Sequence, residues 1–161
     1  MVSAMASAHS AEARLKELGI TLPAAPSPLG AYVPAVQSGK LLFLSGMIPI
    51  AEGKPIMTGR VGDDLDMEQG RAAARAACLN GLAVARQHLG SLDRITRVVR
   101  VGAAIVTSDD FVDHPRLADA ASTLLEEVFG KDKTSTRILM GVSSLPLGLP
   151  LELELIFEVQ D

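Results

Sequence analysis

Apolar and polar positions alternate along this chain with two distinct periods. In "DHPRLADAASTLLEEVFG" (113–130), Leu117, Ala120, Ala121, Leu124, Leu125 and Val128 recur at helical spacing and predict one apolar face. Asp113 or His114 is placed to cap that helix, with Pro115 in its first turn. "DMEQGRAAARAACLNGLAVARQHLG" (66–90) predicts the longest helix. Asp66 and Gln69 stand at capping-box spacing, Gly90 ends the helix, and the many alanines suit close packing on a sheet. A third, short helix is predicted for 10–19, capped by Ser10 and ended by Gly19. The Pro-rich stretch "LPAAPSPLG" then leads into the main domain.

The other period is two. "AYVPAVQSGKLLFLSG" (31–46) predicts two strands around Ser38-Gly39, and Pro34 marks the first as an edge or irregular strand. "IPIAEGKPI" continues as loop. "RITRVVRVGAAIVTS" (94–108) predicts a buried strand. Residues 135–143 and 151–159 complete the set as two strands around a Pro/Gly turn. The order ββ-α-β-α-ββ predicts an α+β fold, a mixed sheet with two main helices packed on one face. Residues 1–27 read as N-terminal helix and linker, and 28–161 as a single domain.

The last two strands carry the candidate chemistry. In 151–159 the odd positions from Leu151 to Val159 are uniformly apolar, while Glu152, Glu154 and Glu158 share the other face. In 135–143, Thr136, Ile138, Met140 and Val142 form the more apolar face and are expected to meet the helices. Arg137, together with Leu139, would then point away from the core. An arginine within a strand calls for an anionic partner. It is a surface charge, half of an ion pair, or a carboxylate anchor, a task to which the planar guanidinium is suited. From spacing alone a cross-strand Arg137–glutamate pair, worth less than about 1 kcal/mol, is favoured.

Composition narrows the functions. Hydrophobic residues make up 48% of 161 and aromatics 3%, so the core is built from Leu, Val, Ile and Ala. The net charge of −4 and the lack of a Lys/Arg run leave no footprint for nucleic acid. The single cysteine, Cys78, excludes an internal disulfide framework and fits a reducing, cytoplasmic setting, with Cys78 itself a small buried residue. No signal peptide and no membrane span is expected. His9, His88 and His114 are scattered, with no metal-ligand spacing. "GKDKTS" from Gly130 is no P-loop, because residue 125 is Leu where glycine is required. No G-x-S-x-G elbow is present.

Four segments then align with a known family. "STR", followed eight residues later by "LP" and then "LELE", resembles the C-terminal signature of the Rid family, the YjgF-like reactive-intermediate deaminases. "PLGAYVPAV" is similar to its G-x-Y-V segment, "LLFLSGMIPI" to its S-G-x-I-P strand, and "FVDHPRLADAASTLLEEVFG" to the helix of one branch. The likeness covers roughly residues 28 to 159. It implies a chorismate-mutase-like α+β fold in a homotrimer, with clefts between subunits. It also implies that Arg137 holds a substrate carboxylate, Glu152 positions the hydrolytic water, and Tyr32 lines the cleft. Ser45, Gly46 and Leu139 would add contacts. Two positions depart from the pattern. Leu139 stands where many members have Cys. Asp119 stands where Asn is common, and its carboxylate would repel an anionic substrate by about 1 kcal/mol or more.

The resemblance implies hydrolysis of 2-aminoacrylate-type imines and enamines to 2-oxo acids and ammonia. No metal or cofactor is implied, since an imine is already electrophilic. Two alternatives stand beside it: a non-catalytic trimer that binds carboxylate metabolites, and an RNA-cleaving or translation-inhibiting protein. The acidic balance argues against the second.

Overall fold

The computed structural model describes residues 10–161, so His9 lies outside the described residues. The chain forms helix α1 (Ala11–Glu17) and strands β1 (Ala35–Ser38) and β2 (Leu41–Leu44). A small ribbon of β3 (Ile50–Ala51) and β4 (Lys54–Pro55) comes next, then helix α2 (Met67–Leu89) and strand β5 (Ile95–Val106). Helix α3 (His114–Phe129) and strands β6 (Thr136–Val142) and β7 (Leu151–Val159) complete it. The main sheet has the order β1-β2-β7-β5-β6. All neighbours are antiparallel except β5 and β6, which run parallel, with α3 as the crossover between them.

Local signals account for most element ends. Asp66 and Gln69 form a complete capping box on α2, and Gly90 closes it in the left-handed region at φ 83°. Ser10 accepts from the Ala13 N–H at the start of α1. Asp113 occupies the cap position of α3 without a side-chain bond, and His114 is the first helical residue, so neither side chain caps that helix. β1 is an edge strand, with Pro34 just before it. The expected loop at 48–56 instead contains the β3–β4 ribbon, turned at Glu52 and Gly53, both with positive φ.

The core lies between one face of the sheet and the helices. From the sheet, Leu42, Val101, Ile105, Leu153, Leu155 and Phe157 are fully buried, and from α3 so are Leu117, Leu124 and Val128. α2 contributes small residues, Ala73, Ala77 and Cys78 among them. A Cβ at Gly81 would sit 2.6 Å from Leu155 Cδ1, and one at Gly70 would sit 2.6 Å from Leu117 Cδ1. The helix therefore packs at a distance that larger residues would not permit. Burial pushes the Cys78 thiol up to about 12, so it stays protonated and serves as packing. α1 joins the same core through Ala11 and Leu15. It is tied down by Glu12, which accepts from Arg86 (2.6 Å) and from the Leu92 N–H (2.9 Å).

Two expectations for the terminal strands are overturned. β6 and β7 do not pair, because β5 lies between them. Residues 143–150 pass over the end of β5, where Arg60 donates to both Thr107 O and Ser143 O, and Val106 N–H donates to Pro150 O (2.8 Å). β6 also faces the opposite way from its hydrophobic pattern. Val101 pairs with Arg137 and Ala103 with Leu139, and both β5 residues face the core. Arg137, Leu139 and Gly141 therefore turn toward the helices, and Leu139 packs against the core. Ile138 and Met140 lie on the open face, 43% and 54% exposed. β7 follows its pattern, with leucines inward and glutamates on the open face.

Candidate active site

Three glutamates point from β7 to the open face of the sheet, and the structure treats them differently. Glu154 accepts from Arg100 Nε at 3.2 Å. Glu158 accepts from Thr96 Oγ1 at 2.6 Å. Glu152 has no hydrogen-bond or ion-pair partner among the described residues. It is half-buried, and loss of solvent holds its carboxyl above the usual 4.5. Of the three, it is the one left available to act on something else.

Its setting is built by β2 and the segment before β1. After Leu44 the chain pairs briefly with β7, where Met47 and Leu153 exchange backbone hydrogen bonds of 2.7 and 2.8 Å. That bridge lays Gly46 directly against Glu152. A Cβ at Gly46 would lie 1.8 Å from Glu152 Oε1, so glycine here is a condition for the observed position of the carboxylate. Ser45 donates its hydroxyl to Val33 O at 2.6 Å, and its N–H donates to Pro34 O at 2.9 Å. Both bonds anchor the segment that carries Tyr32. The Tyr32 hydroxyl accepts from the Leu29 N–H at 3.1 Å, which folds that segment over its own ring. Tyr32, Ser45, Gly46 and Glu152 line one open hollow of about 480 Å³, closed by Leu29, Ile48 and Pro146. Glu152 also borders a neighbouring groove of about 260 Å³ on the open face, beside Arg100 and Met140.

The remaining site residues lie elsewhere on the chain. Arg137 sits on the edge strand, facing α3. Its Nη1 donates to Asp119 Oδ1 at 2.7 Å and to Ser122 Oγ at 3.2 Å. The ion-pair partner is thus a helix residue, not a glutamate of β7. Asp119, expected to repel an incoming anion, here compensates the guanidinium directly. Leu139 follows Arg137 on the same face of β6.

Of the predicted residues, then, one chain gathers Tyr32, Ser45, Gly46 and Glu152 on one part of its surface. Arg137, Asp119 and Leu139 gather on another. Sequence reading did not identify Ser122, although it lies one helical turn from Asp119 and so on the same helix face. It also missed the apolar wall of the hollow, Leu29 and Ile48. His114 has a further role in packing: its ring meets Phe111 edge-on at 5.1 Å. Its buried Nε2 has no hydrogen-bond partner among the described residues.

Among the described residues no group of three or more His, Cys, Asp or Glu side chains is arranged to hold a metal ion. No helix among them is long and apolar enough to cross a membrane.

This sheet and its helices have counterparts in known proteins. A family described as "YjgF/chorismate_mutase-like, putative endoribonuclease" matches residues 12–158. Protein TCP17 of Trypanosoma cruzi is 37% identical over 150 residues, 92% of this chain and 94% of that protein. A 2-iminobutanoate/2-iminopropanoate deaminase of Dermatophagoides farinae is 29% identical over 142 residues, 88% of this chain and 95% of that one. A solved structure from Shewanella oneidensis, described as a "putative endoribonuclease", matches with a TM-score of 0.89 and 33% identity, covering 93% of this chain and 99% of that one. With a family match across almost all of its described residues and the same fold in solved relatives, this chain belongs to the YjgF/chorismate-mutase-like, or Rid, family.

Proposed function

We propose that the protein hydrolyses reactive 2-imino and enamine acids of the 2-aminoacrylate type to 2-oxo acids and ammonia. The observation that carries this reading is Glu152: a half-buried carboxylate without a partner among the described residues, raised by desolvation, beside an open hollow. A raised carboxyl takes up a proton more readily than an ordinary one, which suits a group that must accept a proton and give it back. The similarity to a 2-iminobutanoate/2-iminopropanoate deaminase supports the same chemistry.

In this reading Arg137 holds the substrate carboxylate and aligns the C=N carbon. Water adds to that carbon as its proton passes to Glu152, and the imine nitrogen gains a proton from bulk water. The carbinolamine then loses its hydroxyl proton to bulk water, the C–N bond breaks, and ammonia leaves with the proton returned by Glu152. One imine and one water give one 2-oxo acid and one ammonia. Tyr32 and the Ser45–Gly46 backbone shape the hollow in which the water sits.

The two residue clusters form one site if the chain assembles as a homotrimer, with the Arg137 edge of one copy against the Glu152 hollow of the next. The open sheet face supports assembly with further copies, because Val36, Phe43, Ile138 and Met140 are each at least 40% exposed on it. Light scattering on the purified protein is expected to give three times the chain mass, and a monomer at micromolar concentration would refute the shared site.

The direct test measures ammonia release from freshly generated 2-iminopropionate and 2-iminobutyrate. Acceleration over the buffer rate is expected. Carboxylate binding with no acceleration would favour a binding protein, a reading to which the Asp119-compensated Arg137 lends weight. RNA cleavage is the activity named in the family's description. The net charge of −4 and the scarcity of aromatics argue against a surface that tracks phosphates, and filter binding with single-stranded RNA is expected to show no retention.

A further inference from the structure

We infer that the Arg137–Asp119 pair selects the ligand's charge pattern: it favours carboxylates with an adjacent protonated nitrogen over 2-oxo acids of the same skeleton. The inference rests on Arg137 being the carboxylate anchor proposed above, and it assigns the selectivity to Asp119.

A lone arginine in a cleft attracts any carboxylate. Arg137 is not alone, since Asp119 Oδ1 lies 2.7 Å from its Nη1 and opposes its charge. An incoming anion meets the positive fork and the negative carboxylate together, so the gain from one is offset by the other. The fork is nonetheless only partly used. A guanidinium has five N–H donors, and only Nη1 is engaged among the described residues, with Asp119 and Ser122. Nε and Nη2 remain able to take a carboxylate in the two-point geometry that arginine favours.

Asp119 is equally half-used. Its side chain is 53% exposed, and Oδ2 has no partner among the described residues. A carboxylate held by Nε and Nη2 therefore lies near a free anionic acceptor. A 2-iminium or 2-amino acid carries an N–H donor one carbon from its carboxylate and satisfies both. A 2-oxo acid presents a carbonyl oxygen there, an acceptor facing an acceptor. The substrate in its protonated imine form is thus retained, and the product, which has lost its nitrogen, is rejected.

Nothing in the stability of the fold calls for this pair. Both partners reach solvent, and such pairs contribute little to folding. Ser122, one turn along α3, holds the guanidinium from a second point and fixes its plane relative to Asp119.

Calorimetry on the intact protein with L-alanine and pyruvate, which share a three-carbon skeleton, tests the inference. The wild type is expected to bind L-alanine at least about tenfold more tightly than pyruvate. Asp119→Asn is expected to reduce that ratio at least about tenfold, chiefly by tightening pyruvate. A wild-type preference for pyruvate, binding of neither ligand, or a ratio unchanged within about twofold in Asp119→Asn would each overturn the inference. Arg137→Ala separates the two readings. If it weakens both ligands while Asp119→Asn leaves the ratio alone, the anchor stands and the selectivity role falls. If it leaves both dissociation constants unchanged, the anchor reading fails and the selectivity role with it. Melting curves of each variant check that the fold is retained.

Discussion

The hollow around Glu152 and the edge around Arg137 are built on the same sheet by opposite electrostatic rules. Glu152 sits beside a central strand pairing, is partly desolvated, and receives no partner among the described residues. Arg137 sits on an edge strand and receives two, Asp119 and Ser122. A carboxylate without a partner costs free energy in its charged form, so it is held ready to accept a proton. A compensated guanidinium is held in place, with part of its fork free. The difference fits the proposed division of labour, proton transfer at one cluster and orientation at the other, and each substitution below bears on one of them.

The largest effect is expected from Glu152→Gln. It keeps the shape of the side chain and removes the base, so kcat for imine hydrolysis should fall by about 10²- to 10⁴-fold. The acidic limb of the wild-type rate profile should lie above the ordinary carboxyl value of 4.5. The stability sign follows from the same shift. Between the ordinary value and the raised one, the folded state binds more protons than the unfolded state. Stability therefore falls as pH rises through that window. Glu152→Gln should remove this slope and melt at or above the wild type at neutral pH. A rate within tenfold of wild type would end the proton-transfer role.

Arg137→Ala comes next. Loss of two charge-assisted hydrogen bonds should lower kcat/KM by about 100- to 1000-fold. Arg137→Lys should not restore it, because the charge remains but the fork is lost. The ion pair is exposed, so its loss should cost less than about 1 kcal/mol and a few degrees in Tm. A large drop in Tm with activity retained per folded molecule would make Arg137 a structural residue instead.

Gly46→Ala tests the hollow without touching its charge. The new Cβ would sit 1.8 Å from Glu152 Oε1 and must displace it. A displacement of that size should cost about 100-fold in kcat. Combined with Glu152→Gln it should add little, since both act through the same group. Additive losses in the double variant would show that Gly46 matters for another reason.

The smallest effect is expected from Ser122→Ala. One neutral hydrogen bond to the guanidinium, worth about 1 kcal/mol, should cost about fivefold in kcat/KM. No measurable change would mean that Asp119 alone holds Arg137 in place.

Much of this was legible in the chain. The capping box of α2, the Ser10 cap, the Ser38-Gly39 hairpin and the edge character of β1 each rest on a few neighbouring residues. Such local bonds survive any rearrangement of distant parts. β7 was legible for another reason: its odd positions are uniformly apolar and its even positions mostly charged, so only one facing avoids burying glutamates. The cluster of Tyr32, Ser45, Gly46 and Glu152 came from family resemblance, and the structure brings the four together on one hollow.

The sequence by itself thus determined the three α-helices and the five main strands, their order along the chain and the facing of β7. The tertiary structure alone decided the place and facing of β6. Its two faces differ too little for periodicity to choose: Ile138 and Met140 on one side compete with Leu139 on the other. Placing β6 parallel to β5, with α3 as the crossover, makes Arg137 share the face of buried Val101. That placement gives Arg137 a helix carboxylate as its partner and removes the cross-strand pair that spacing favoured. It also leaves apolar side chains on the open face of the sheet. The physical reason is range. Caps, turns and strong alternation are fixed within a few residues, whereas the facing of a weakly patterned edge strand depends on its neighbours, which the chain supplies from far away.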